Sequence, residues 1–246
     1  MSTVCSRRQK KFRYGRLFID FVLVAVLLAA GGCRKASSPS GARERKLTIA
    51  VVPMGTTHEF WKAIHAGAAT AARELGVRII WKGPLRETDR NEQVQIVETL
   101  VNAGIDALVL SPLDDRALIP PVLEAGRAGI PTVAFNTALA GGATIASIAT
   151  DNFKGGVLAA EHIGKLTGGR GRLILMRVTE GVEGTRLREE GFLTTIRAKY
   201  PGLTILSDNQ YGGASTETAY QTLENLLARF SDVDALFTPN ESTTFG

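Results

Sequence analysis

The sequence predicts an α/β protein of two lobes, each built on a parallel sheet. Three observations carry this. From Lys46 onward, short apolar runs rich in β-branched residues alternate with helical stretches of roughly 10–15 residues, the pattern of βαβ units. The strand candidates are unbroken apolar runs rather than in/out alternations, as parallel sheets covered on both faces require. Two successive sets of such units meet near residue 150, which divides the chain into an N-terminal lobe over 47–149 and a C-terminal lobe over 150–246.

The elements follow in order. Residues 47–52 form a strand ended by Pro53, and 60–75 a helix rich in alanine and stopped by Gly76. A strand over 77–81 leads to a helix over 90–103, with Gly104 just past its end. Strand 107–110, helix 116–128 closed by Gly129, and strand 132–135 complete the first set. The second begins with an extended segment at 145–149, helix 153–166 and strand 173–176. Helix 187–200 is stopped by Pro201, and strand 203–206, helix 216–230 and strand 235–237 follow. Asn240 to Gly246 reads as a loop opening another helix. A doubly wound lobe that stops there leaves a face of its sheet uncovered, so the expectation is a truncated chain with an incomplete second lobe.

The N-terminus has a different composition. Arg7, Arg8, Lys10, Lys11, Arg13 and Arg16 precede an apolar run from Phe21 to Ala30, then Gly31, Gly32 and Cys33. A basic start, a short apolar core and small residues before a cleavage point describe a signal peptide over 1–32. The apolar run falls well short of the ~20 residues of a membrane-spanning helix. Small residues directly before a cysteine resemble the lipobox of bacterial lipoproteins, which implies a lipidated Cys33. Residues 33–46 then form a polar tether.

Charge and cysteine narrow the function classes. The net charge of +5 belongs to the leader, which holds six of the 29 Lys/Arg and, in Asp20, one of the 24 Asp/Glu. The remainder is balanced at 23 of each, so the nucleic-acid reading that a basic isoelectric point invites has no support. Past Cys33 there is no cysteine, hence no disulfide framework. His58, His65 and His162 lack metal-ligand spacing, and no metal or cofactor is expected. The loop after the first strand matches neither phosphate-binding nor dinucleotide patterns, and no Gly-x-Ser-x-Gly elbow occurs. No feature argues for an enzyme.

Ligands of open α/β sheets lie beyond the carboxyl ends of the strands. That rule selects Thr56, Thr57, His58, Phe60 and Trp61 after the first strand, Pro112, Asp114 and Asp115 after the third, and Asn136 and Thr137 after the fourth. In the second lobe it selects 179–188, then Gln210 and Tyr211, then Asn240 and Glu241. Aromatic faces stack on sugar rings, and planar amide, carboxylate and guanidinium groups match neighbouring hydroxyls. The set suits a sugar-like ligand and other small polar ligands. Phe60 and Trp61 also fit a helix start that belongs to the core, Asp114 a helix cap, and Arg186 and Arg188 a solvated first turn.

The residues resemble the periplasmic sugar-binding proteins of the ribose/galactose type. The resemblance runs from Ile49–Pro53, Phe60-Trp61, Gly67 and Leu75-Gly76 through Gly104-Ile105-Asp106 and Ser111-Pro112 to Gly129-Ile130-Pro131. It continues in Thr150-Asp151-Asn152, Gly155-Gly156, Gly184-Thr185-Arg186, Gly191-Phe192 and Asn240-Glu241. It implies two Rossmann-like lobes of the type I periplasmic binding fold, closing on a ligand. It also implies that Phe60 and Trp61 sandwich a sugar, that Arg186 binds its hydroxyls, and that Asn240 joins them. The family commonly has an aspartate where Asn136 stands, and ribose binders an asparagine where His58 stands. The ligand set expected is Thr57, His58, Phe60, Trp61, Asp114, Asn136, Arg186, Tyr211 and Asn240. The implied protein is a monomer of the periplasm or cell envelope that hands a sugar to an ABC permease, held at the membrane by its lipid anchor. The alternative is a ligand sensor for a chemoreceptor or histidine kinase.

Overall fold

In the computed structural model, residues 45–246 are described. The segments expected to be a signal peptide and a tether, except for the tether's end, and Cys33, the expected lipidation site, lie outside them. The first sheet holds β1 (Thr48–Val52), β2 (Arg78–Trp81), β3 (Ala107–Leu110), β4 (Thr132–Phe135) and β5 (Ala146–Ile148) in the order β2-β1-β3-β4-β5, all parallel. The second holds β6 (Arg170–Arg177), β7 (Gly202–Tyr211) and β8 (Ala235–Phe237) in the order β7-β6-β8, also parallel. Helices α1 (Glu59–Leu75), α2 (Arg90–Asn102) and α3 (Ile119–Arg127) serve the first lobe. Helices α4 (Asn152–Leu166), α5 (Glu183–Lys199), α6 (Thr216–Arg229) and α7 (Glu241–Phe245) serve the second.

Strand β6 shows why the apolar runs are continuous. Leu173 and Leu175 pack with Ala160, Phe192 and Ile196 of α4 and α5 on one face. Ile174 and Met176 pack with Ala219 and Leu226 of α6 on the other. With a helix layer on each face, the middle of the central strand, Leu173 to Met176, must be apolar throughout, while its arginines sit at the strand's ends. The first lobe buries Val52, Leu108 and Leu110 with Val97 and Val122 in the same manner.

Several boundaries differ from the sequence expectation, among them the start of β6, at Arg170 rather than 173, and three shifts have a clear physical reason. Helix α3 begins at Ile119 rather than 116, because Pro120 and Pro121 are tolerated only in a first turn. Helix α5 begins four residues early, at Glu183. Its first turn, Glu183-Gly184-Thr185, looked like loop in sequence. It is held by the other lobe, since Glu183 Oε2 accepts from the amide of Ala138 at 2.9 Å. Strand β7 runs on to Tyr211, past its apolar part. It is the outer strand of its sheet, where Ser207–Gln210 can face solvent.

Two glycines bring α4 and α5 into backbone contact. A Cβ on Gly156 would lie 2.0 Å from the carbonyl oxygen of Arg188, and one on Gly191 would lie 2.1 Å from that of Phe153. The helix carrying Arg188 is thereby fixed against the first turn of α4, just after the chain leaves β5.

Candidate functional site

The carboxyl ends of both sheets converge on one cavity of about 130 Å³. The loop after β1 contributes Met54, His58, Phe60 and Trp61; the loop after β2, Glu87; the end of β4, Asn136. From the second lobe come Val178, Thr179 and Val182, then Gly184, Thr185 and Arg188 of α5, then Asn240 and Glu241 after β8. The space is smaller than the ~300–1,000 Å³ of drug-sized pockets, so it suits one small ligand.

Trp61 is 2% exposed and meets Met54 and Leu113 in a small apolar cluster. Its ring stands edge-on to Phe60 at 4.9 Å and to Phe135 at 6.3 Å. A buried indole N–H needs an acceptor, and Trp61 Nε1 donates to Glu87 Oε1. The same oxygen lies 2.9 Å from His58 Nδ1. Phe60 is the more exposed of the paired rings.

His58 precedes α1 without capping it through its side chain. The first amides of α1 are satisfied from the other lobe instead. Glu241 Oε1 accepts from the amide of Glu59 at 3.3 Å, and Oε2 from that of Phe60 at 3.1 Å. A carboxylate at a helix N-terminus meets both unpaired donors and the positive end of the dipole.

The His58 pKa is raised from its ordinary 6.5, first by the hydrogen bond to Glu87 and then by the charges of Glu87 and Glu241, against an opposing effect of burial. A histidine pKa raised by folding contributes stability that is fully present below the unfolded value. That contribution is lost as pH rises through the folded value. The stability margin of wild type over His58→Ala should therefore shrink as pH rises from about 6 towards 8. Thermal melts of both proteins across that range check this; a margin that grows with pH would contradict it.

Arg188 ties three segments together. Its Nε donates to Asn152 Oδ1 at 2.8 Å and its Nη1 to the carbonyl of Pro239 at 2.7 Å. Asn152 opens α4, and Pro239 lies in the loop carrying Asn240 and Glu241. Burial pushes the Arg188 guanidinium pKa down from its ordinary value, yet the group stays charged. Behind it, Glu189 is 3% exposed and pairs with Arg177 at 2.7 Å; burial raises its pKa despite that partner.

Asn136 has a left-handed backbone, φ 64°, which asparagine tolerates better than most residues. Its Nδ2 donates to Ser111 Oγ at 3.3 Å.

Of the nine residues expected from sequence, His58, Phe60, Trp61, Asn136 and Asn240 line the cavity. Asn240 is also the cap of α7, its Oδ1 accepting from the amide of Thr243 at 3.1 Å. The other four do not line it. Thr57 is exposed and its hydroxyl donates to the carbonyl of Leu85 at 3.4 Å. Asp114 closes the turn ahead of α3 rather than capping the helix, whose N-cap is Leu118: Oδ1 accepts from the amides of Arg116 and Ala117, and Oδ2 pairs with Arg90 at 3.0 Å. Burial works to raise its pKa, but those amides and Arg90 together hold it low. Tyr211 ends the outer strand β7 and is largely exposed. Arg186 points away, its side chain 57% exposed and paired with Glu190 one turn on. The cavity arginine is Arg188, because two residues along a helix rotate the side chain by about 200°.

The expected set also left out Arg188, Glu241 and the 179–185 residues of the wall, which the strand-end rule had reached, while Met54, Val178 and Glu87 lie outside that rule's selection altogether. Glu87 was within its reach: the rule of strand carboxyl ends applies equally to the loop after β2, which was passed over.

A larger apolar groove of about 360 Å³ lies between the small residues of α1, Gly67, Ala68, Ala71 and Ala72, and the sheet. It offers a polar ligand almost nothing to bind. Among the described residues no group of three or more His, Cys, Asp or Glu is placed to hold a metal ion.

Known proteins share this fold. The chain is 26% identical over 226 residues to a ribose import binding protein of Bacillus subtilis, covering 92% of this chain and 72% of that protein. An ABC-type sugar transport system periplasmic component from Hahella chejuensis superposes with a TM-score of 0.76 at 32% identity, over 80% of this chain and 72% of that one. A solute-binding protein from Agrobacterium vitis, solved with α-D-tagatopyranose, gives a TM-score of 0.76 at 30% identity, over 81% and 70%. The periplasmic binding protein domain matches residues 49–246, and with both sheets and the cleft between them inside that span, the chain belongs to this family.

Proposed function

We propose that this chain is an extracytoplasmic binding protein that captures one monosaccharide or similar polyhydroxylated ligand between its lobes and delivers it to an ABC importer. The observation that carries the reading is the cavity itself: a paired-aromatic wall and converging amide, hydroxyl, carboxylate and guanidinium groups, drawn from both lobes. An apolar ring face and a rim of paired hydroxyls are what such a wall and such groups complement. The sugar-binding relatives and the bound tagatopyranose of one structural neighbour support it. The protein acts as a monomer and does no chemistry on its ligand.

A thermal-shift screen against pentoses, hexoses, polyols and nucleosides tests the reading. A ligand at a hundredfold excess over its Kd stabilises by about 2.7 kcal/mol, roughly 5–10 °C for a chain of this size. A screen with no shift for any sugar or polyol would sink the proposal.

The leader supports an envelope location: residues 1–32 direct export and Cys33 carries the lipid. Cells fed a radioactive fatty acid should label the wild-type chain and not Cys33→Ser. Equal labelling of both would remove the anchor from the proposal.

A further inference from the structure

Three charged side chains besides His58 line the cavity, and they differ in what the protein leaves to a ligand. Glu241 places both carboxylate oxygens on the amides of α1. Arg188 commits Nε and Nη1 to Asn152 and Pro239. Glu87 commits only Oε1, to Trp61 Nε1 and His58 Nδ1. Among the described residues no donor reaches its Oε2. The Glu87 side chain is only 15% exposed, which leaves Oε2 open towards the cavity without a protein donor.

The surroundings hold this carboxylate in place. Two donors on one oxygen fix the group against the indole. Gly55 leaves room for it: a Cβ there would lie 2.9 Å from Glu87 Cγ and 3.6 Å from Trp61 Nε1. At the end of β4, Asn136 presents an amide whose nitrogen is turned to Ser111. Among the described residues, the first lobe's one carboxylate in the cavity therefore comes from the loop after β2.

We infer that Glu87 is a specificity-determining residue of this site: its Oε2 accepts a hydrogen bond from a ligand hydroxyl beside the Trp61 ring. This rests on the proposed capture of a polyhydroxylated ligand. A carboxylate donates nothing, so it selects for O–H at that ring position and penalises deoxy or O-methyl analogues, which leave it unpaired. Its anchoring donors, an indole and an imidazole, set its direction.

The experiment is calorimetric titration of the full chain and Glu87→Gln with D-allose, D-tagatose, D-arabinose and xylitol, followed by the monodeoxy analogues of whichever binds. Wild type should bind one parent and discriminate sharply against one of its deoxy analogues. Glu87→Gln should bind the parent about 10–100-fold more weakly, as loss of a charged hydrogen bond implies. Its discrimination against that one analogue should collapse. If Glu87→Gln weakens the parent and every analogue by one common factor, Glu87 acts only through Trp61 and His58 and the inference fails. Unchanged affinity also overturns it. In both cases wild-type binding of the parent leaves the functional proposal standing. No binding of any sugar or polyol by wild type overturns that proposal and this inference with it. Circular dichroism checks that the glutamine variant is folded, and Glu87→Asp provides a second variant that keeps the charge but shortens its reach; it should lose affinity and retain the preference for the hydroxyl.

Discussion

Gly156→Ala should destabilise the second lobe, while Gly155→Ala, its neighbour on the same helix, should stabilise it. Alanine is favoured over glycine in a helix interior by about 1 kcal/mol, so both variants start with the same gain. A Cβ at position 155 meets nothing within 4 Å and keeps that gain. At position 156 it would sit 2.0 Å from the Arg188 oxygen and 2.8 Å from the amide nitrogen of Phe192. Backbone on backbone cannot be relieved by a rotamer change, so α4 and α5 must separate. Overpacking of this kind costs about 1–3 kcal/mol beyond any propensity gain. The melting temperature should fall by roughly 2–10 °C for Gly156→Ala and rise slightly for Gly155→Ala. Ligand affinity should fall with it in Gly156→Ala, because Arg188 rides on the displaced helix. If the two variants melt together, the close contact of α4 and α5 is not what holds this lobe.

Arg188→Ala is expected to cost most of the ligand affinity, and Arg186→Ala almost none. Removing the Arg188 guanidinium takes a cationic donor from the cavity wall. It also strands Asn152 Oδ1 and the Pro239 carbonyl, which have it as their donor. Each unsatisfied buried acceptor costs about 1–3 kcal/mol, and a lost hydrogen bond to a charged group about 1.5–3 kcal/mol. A drop in affinity of about a hundredfold, with a lower melting temperature, is the expected outcome in calorimetry and thermal melts. Lysine should not rescue, because a single ammonium cannot span two acceptors set by a planar fork. The Arg186 pair with Glu190 is exposed and of the i,i+4 kind, worth about 0.3–0.5 kcal/mol. A variant pair with the opposite ranking would return the ligand-binding role to Arg186.

The site was only partly legible in sequence, and the reason is directional. The strand-end rule located the loops that line the cavity, but a loop position does not say where its side chain goes. Asp114 and Thr57 lie in selected loops, yet spend their oxygens on nearby backbone. Glu241 lay in a selected loop too. Its partners, the amides of Glu59 and Phe60, are about 180 residues away in sequence, and no local pattern encodes such a pairing.

By itself the sequence determined the alternation of strands and helices, because continuous apolar runs and 3.6-residue periodicity are local consequences of which faces must be buried. It determined two successive sets of strands and helices, which form two sheets, and a charge balance past Cys33 that gives a nucleic-acid reading no support. The tertiary structure alone decided which arginine of α5 turns inward, that Glu87 is held by Trp61 and His58, and that Glu241 caps a helix of the opposite lobe. Each of these depends on distances between segments far apart in the chain. Such distances are fixed by the packing of one element on another, as Gly156 and Gly191 fix α4 against α5, and not by the neighbours a residue has in sequence.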